Sequence, residues 1–200
     1  MPRRPAHPLL FAHELPFVPD LAHARATLER YVPRDAAQRA ARDRILAFVD
    51  AHPRDAHLRT TLEGHLTASA LVLDAAGERA LLTFHRKLGR WLQLGGHCDG
   101  DANLARSALR EAEEESGIVG LAIEPEPCDL DVHAIPARPG EPEHLHHDVR
   151  FLVRAPAGAR EAAGEESLAL RWFAPHEVLA AGAIETDDSV RRLFALAFGS

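Results

Sequence analysis

Cysteine is scarce in this sequence, with Cys98 and Cys128 the only two in 200 residues. A chain of this length with so few carries no disulfide framework, which fits a reducing compartment. An excess of positive charge is also missing. Against 30 Asp and Glu stand 23 Lys and Arg, a formal net charge of −7 at pH 7, and this argues against broad binding to a nucleic-acid polymer. Small anionic substrates stay open, because a bound divalent cation can reverse the local field. Long hydrophobic runs are absent too. The opening stretch, MPRRPAHPLLFAHELPF, is basic, but its apolar patch is broken by His, Glu and Pro and is too short for a secretory signal or a membrane span. The expectation is a cytoplasmic protein with no membrane partner. There is no internal repeat.

What is present is 46% hydrophobic and 26% charged residue content, enough for a soluble domain with a buried core. The first sixty residues, rich in Ala, Arg, Leu and Asp, read as a helical extension (1–60) ahead of a second unit (61–200). Asp20 can cap a helix reaching Tyr31, and Asp35 one reaching Ala51, with Pro33 and Pro53 ending them. Ile45, Leu46, Val49 and Phe48 supply an apolar stripe in the second helix. Such a pair can serve as a substrate lid, a homodimer arm or a packing appendage.

From His65 the pattern turns to short β runs. His65–Leu73 and Arg79–Phe84 flank a turn at Asp74–Gly77, and a Gly-containing stretch leads to a helix over Asn103–Ser116. Ala122–Ile123, Leu130–Ile135, Val149–Val153 and Leu168–Phe173 read as further strands. A loop over Pro136–Pro142, a helix starting over Pro175–Ala181 and a final helix capped by Asp187 or Asp188 complete the chain. Strands and helices mix without regular alternation, so the expected fold is α+β or a layered α/β/α sandwich rather than a doubly wound sheet.

The chemistry concentrates in Gly95–Ile118, GGHCDGDANLARSALREAEEESGI. Glu111, Glu114 and Glu115 stand at i, i+3 and i+4 and share one helical face, while Ala105, Ala108, Leu109 and Ala112 form an adjoining face suited to a sheet. Three carboxylates on one face repel, each pair by about a few tenths of a kcal/mol. A solvated acidic face, partly neutralised by Arg106 and Arg110, is the plain alternative. The Gly pair upstream, where carbonyls can approach an ion, and Gly117 at the helix end favour a cation site.

This stretch resembles the Nudix box, G-x5-E-x7-R-E-U-x-E-E-x-G-U with U aliphatic. From Gly96 the spacing places Arg110, Glu111, Ala112, Glu114, Glu115, Gly117 and Ile118 on the pattern. One position departs: where the box has its first Glu the chain has Ala102, with Asp101 beside it as a shorter candidate replacement. The flanking strands and the later LRWFAPHEV extend the resemblance over roughly Leu66–Ala180. It implies an α/β/α sandwich around a mixed sheet, with the box as loop–helix–loop. The implied reaction is hydrolysis of a phosphoanhydride in a nucleoside diphosphate derivative, with Mg²⁺ or Mn²⁺ as cofactor and a small phosphorylated molecule as partner. Glu114 and Glu115 are then the principal metal ligands. Glu111 ligates or orients the attacking water, the Gly96 carbonyl completes the shell, and Arg110 braces the carboxylates. Glu141 and Glu143 are candidates for the general base.

Other signals have two readings each. His144, His146 and Asp148 point to one side of a strand, with His147 between them. They are a second metal or phosphate contact, or simply a polar strand entrance. His85, Arg86, Lys87 and Arg90 before Trp91 border a cleft where Trp91 could stack on a base, or form a surface turn around a buried Trp. Cys98 lacks the neighbours of a nucleophile and reads as an unreactive small residue. Beside the hydrolase stand a nucleotide-binding module on the same fold, favoured by Ala102, and last an isomerase on a related fold.

Overall fold

The computed structural model describes residues 8–86, 88–138, 140–162, 167–180 and 182–199. The readings that touch the first seven residues, Lys87, Pro139 and Ala181 lie outside these. Among the described residues nine strands form one mixed sheet: β1 (Leu10–Phe11), β2 (Gly64–Leu73), β3 (Ala80–His85), β4 (Arg90–Leu92), β5 (Leu94–His97), β6 (Ala122–Ile123), β7 (Asp129–Ile135), β8 (His144–Arg154) and β9 (Ser167–Phe173). Five helices accompany them: α1 (Ala22–Arg30), α2 (Ala36–Ala51), α3 (Leu104–Ser116), α4 (Pro175–Leu179) and α5 (Asp188–Phe198). At the centre β2 and β8 run parallel, from Gly64 opposite Leu145 to Leu73 opposite Arg154, and the other pairings are antiparallel.

Alternation along β2 explains the layers. Leu66, Ala68, Ala70 and Val72 enter one core with Ala108, Leu109 and Ala112 of α3 and with Leu28, Ile45 and Val49 of α1 and α2. Leu71 and Leu73 enter a second core with Phe173 and with Val190, Leu193 and Phe194 of α5. The expected α/β/α sandwich is therefore what the chain forms. The residues of β2 that share the second face but come earlier, His65, Thr67 and Ser69, are polar, and Thr67 and Ser69 border a cavity there. Helix α5 covers the apolar half of that face, and the polar half borders the cavity.

Capping residues act as the sequence suggests. Asp35 accepts from Gln38 N–H, Asn103 from Arg106 N–H and Asp187 from Val190 N–H, while Gly117 takes the left-handed C-cap of α3 at φ 66°. Asp20 accepts from Ala22 N–H, one residue further upstream than a cap. The strand expected at Val149–Val153 begins at His144, so the polar run before it is part of the ladder. Strands β4 and β5 occupy what read as an undivided Gly-containing stretch, because three- and four-residue strands carry too short a pattern to show.

The described residues before 60 are packed into the sandwich. Leu15, Leu21, Ala24, Leu28, Tyr31, Ile45, Val49 and Ala56 share the core of β2 and α3. Of the three roles open in the sequence, packing is what the contacts display. The Gln38 amide fixes α2 to β7, donating to Leu130 O at 3.1 Å and accepting from Leu130 N–H at 3.1 Å, with Tyr31 OH donating to it at 2.6 Å.

Candidate active site

Strand β5 and helix α3 build the site together. Gly95 and Gly96 bring the β5 backbone against the acidic face of α3. The Gly95 N–H donates to Glu115 Oε2 at 3.3 Å. A Cβ on Gly96 would lie 2.5 Å from Glu111 Oε2, so a side chain there would displace that carboxylate from its present position. Arg110 lies among the acids. Its Nη1 is 2.8 Å from Glu111 Oε1 and 3.1 Å from Glu114 Oε2, and its Nη2 donates to the His97 carbonyl at 2.7 Å. Burial raises the Glu111 carboxyl above its ordinary range; Arg110 opposes that shift and Glu114 adds to it. Glu111, Glu114, Glu115, Arg110 and Gly96 thus meet on one wall of a cavity of about 600 Å³.

The rest of that cavity mixes charge and imidazole. Arg59 and Arg138 bring cations, Glu141 a further carboxylate, and His97, His133, His144 and His146 ring nitrogens. Thr67 and Ser69 donate to Asp148 at 2.9–3.0 Å, and Arg150, 2% exposed, donates to the same carboxylate at 2.7 Å. Arg150 also reaches Asp129 and Asp131, which Arg192 joins from α5. This buried network fixes the cavity floor to the last helix. Sequence reasoning missed it, together with His65 and His97. The signal available was the polar alternation His65, Thr67, Ser69 in an otherwise apolar strand.

Several expected site residues turn out differently placed. Asp101, the candidate replacement for the box Glu, turns away from the acidic face: it accepts from Val18 N–H at 3.0 Å and Asn103 N–H at 2.9 Å, and it pairs with Arg106 at 2.7 Å. The aspartate nearest Arg110 is Asp99, at 3.8 Å and with φ 51°. Glu141 borders the cavity, whereas Glu143 is exposed and is not part of its lining. His85 lines the cavity. Trp91 instead meets Phe84 and Phe173 edge-on, at centroid distances of 5.2 and 4.9 Å, and packs against the second core. Cys98 is 2% exposed and its thiol is pushed up by burial, as suits an inert residue. His147 faces the opposite side of the sheet from His146 and stacks on Phe48 of α2 at 4.1 Å.

Among known proteins the likeness is clear in fold. A Caenorhabditis Ap4A hydrolase in binary complex (C. elegans) superposes with a TM-score of 0.51 at 17% identity, over 64% of this chain and 91% of that one. A MutT protein from Methanosarcina mazei Go1 gives 0.47 at 19% identity over 67% and 92%. The dihydroneopterin triphosphate pyrophosphohydrolase of E. coli gives 0.47 at 18% identity over 65% and 92%. No curated protein matches the sequence. The model of the NUDIX domain matches residues 64–194, well over half of the chain and spanning every strand of the cavity, so the chain belongs to the Nudix hydrolase family.

Proposed function

We propose that this Nudix enzyme hydrolyses a phosphoanhydride bond in a nucleoside diphosphate derivative or a related small phosphorylated molecule, with Mg²⁺ or Mn²⁺ held by Glu111, Glu114, Glu115 and the Gly96 carbonyl. The observation that carries the reading is the close approach of the Gly96 backbone to Glu111 beside two further carboxylates on one cavity wall. The donor set fits a hard divalent cation, which takes oxygen ligands and shares them with substrate phosphates. When bound, such an ion supplies charge neutralisation to the diphosphate and to the transition state.

The remaining work belongs to the chain. Arg110 aligns Glu111 and Glu114 through its paired contacts, and the Gly95 N–H orients Glu115. Arg59 and Arg138 provide positive charge for phosphate oxygens on the far walls. Hydrolysis forms a bond from a water oxygen to phosphorus and breaks the P–O bond of the leaving phosphate, with one proton passing to a base. Glu141, which lines the cavity, is our candidate for that base. Residues 1–60 act as a scaffold for the box loop and residues 61–200 as the catalytic unit.

The test is a screen of nucleotides, sugar nucleotides, dinucleoside polyphosphates and coenzyme A with Mg²⁺ and Mn²⁺, following release of phosphate or nucleoside monophosphate. A cation-dependent turnover that Glu115→Gln lowers by about 10²-fold or more is expected. Wild-type turnover in excess chelator would refute the cation's role. Binding of nucleotide without turnover of any substrate would favour a binding module on this fold.

A further inference from the structure

The parallel pairing of β2 with β8 sets histidines side by side. His65 lies opposite His146, His146 lies opposite His133 on β7, and His97 on β5 lies opposite Thr67, one step along. Alternation adds His144 to the face of His146. The ring centroids of His65, His144 and His146 are 4.9–5.2 Å apart, and one nitrogen of each lies within 4.8 Å of the others. We propose that His65, His144 and His146 form a second cation site, for a borderline divalent ion such as Zn²⁺ or Co²⁺, where β2 and β8 meet, with Glu141 Oε1 3.8 Å from His144 Nε2 beside it. This site stands on its own ligands and does not depend on the hydrolytic reading.

Three observations support it. First, the His144 and His146 Nε2 atoms are already 3.3 Å apart, about the separation of two nitrogens bound to one tetrahedral zinc at 2.0–2.1 Å. Second, His144 Nδ1 donates to the Pro142 carbonyl at 2.9 Å, the outer contact that turns the Nε2 lone pair of a metal-binding histidine inward. Third, His65 is 2% exposed and neither ring nitrogen makes a well-formed hydrogen bond, the Thr61 backbone being a weak partner at most. Buried polar atoms are rarely left so, and an ion would satisfy one of them.

Imidazole favours Zn²⁺, Co²⁺ and Ni²⁺, whereas Mg²⁺ and Mn²⁺ favour carboxylate oxygen. The three imidazoles therefore suit a softer ion than the carboxylates of α3 do. Three protein ligands leave a tetrahedral ion one open position. Because His144 and His146 line the same cavity as Glu111 and Glu115, a phosphate oxygen of the cavity's ligand is the chemical class suited to fill it.

The experiment uses the full chain stripped of metal, titrated calorimetrically with Zn²⁺, followed by X-ray absorption at the zinc edge. One Zn²⁺ per chain with the outer-shell scattering of three imidazoles is expected. His144→Gln and His146→Gln should each weaken binding by about tenfold or more, and the imidazole scattering at the zinc edge should fall with them. Three results would each overturn the site: no stoichiometric Zn²⁺ uptake, a zinc shell of carboxylate oxygen without imidazole, or undiminished binding in both histidine variants. The absorption measurement on the wild-type chain decides the matter even where a buried variant such as His65→Gln does not fold.

Discussion

Position 102 holds Ala where the box pattern has Glu, and the structure gives that substitution a local reason. Ala102 is fully buried, and its N–H donates to the Val18 carbonyl at 2.6 Å, so the strap before α1 lies across the place a longer side chain would occupy. The neighbouring Asp101 is taken up by the same strap through Val18 N–H. Ala102→Glu should therefore bury an unpaired charge and cost about 3 kcal/mol, or roughly 6–12 °C in Tm for a protein of this size. Calorimetric melting checks it. An unchanged Tm with a lower Mg²⁺ requirement would mean that the new carboxylate reaches Arg110 after all. The box residues themselves were legible because their spacing is helical and local. The orientation of Asp101 was not, since its partner Val18 lies 83 positions away.

Among the elements, caps and breakers gave the helices nearly to the residue, and apolar alternation gave the longer strands. What stayed hidden was how α1 and α2 join the sheet, because a single polar side chain does much of that joining. Gln38, 3% exposed, closes the outer edge of β7 by matching both the N–H and the C=O of Leu130. Nothing in an Ala- and Arg-rich helix marks one glutamine for such a role. Gln38→Ala leaves the Leu130 N–H and C=O and the Tyr31 hydroxyl without their partner, so it should cost about 3 kcal/mol. Urea unfolding would show a lower midpoint with little change in slope. A loss under about 0.5 kcal/mol, the range of surface substitutions, would place α2 outside the cooperative unit.

For the whole molecule, the layered sandwich followed from the mix of strands and helices, but the β2–β8 pairing that assembles the histidines joins segments some eighty residues apart. Local patterns hold no record of such a pairing. That pairing also shapes the response to acid. His65 and His147 are each 2% exposed. Burial is the main cause of depression at both, to about 4, with His97 and His144 adding at His65 and Arg44 at His147. In the unfolded chain both titrate near 6.5. The unfolded state thus binds more protons than the folded one between pH 6.5 and 4, and stability is fully present above that window and falls as pH drops through it. Each of these histidines should contribute a slope of about 1.4 kcal/mol per pH unit in the middle of the window. Asp131 acts in the same direction at lower pH. Burial alone would raise its carboxyl, but the His133 hydrogen bond with Arg150 and Arg192 holds it well below the ordinary carboxylate range, so its contribution is lost only in stronger acid. Urea unfolding of the metal-free protein at pH 7, 6 and 5 should show a steady loss of stability. His147→Phe, which keeps a ring stacked on Phe48 but cannot bind a proton, should flatten that loss by one histidine's share. A wild-type stability that is level from pH 7 to 5 would show that these rings charge freely in the folded state and are not held neutral by the sheet.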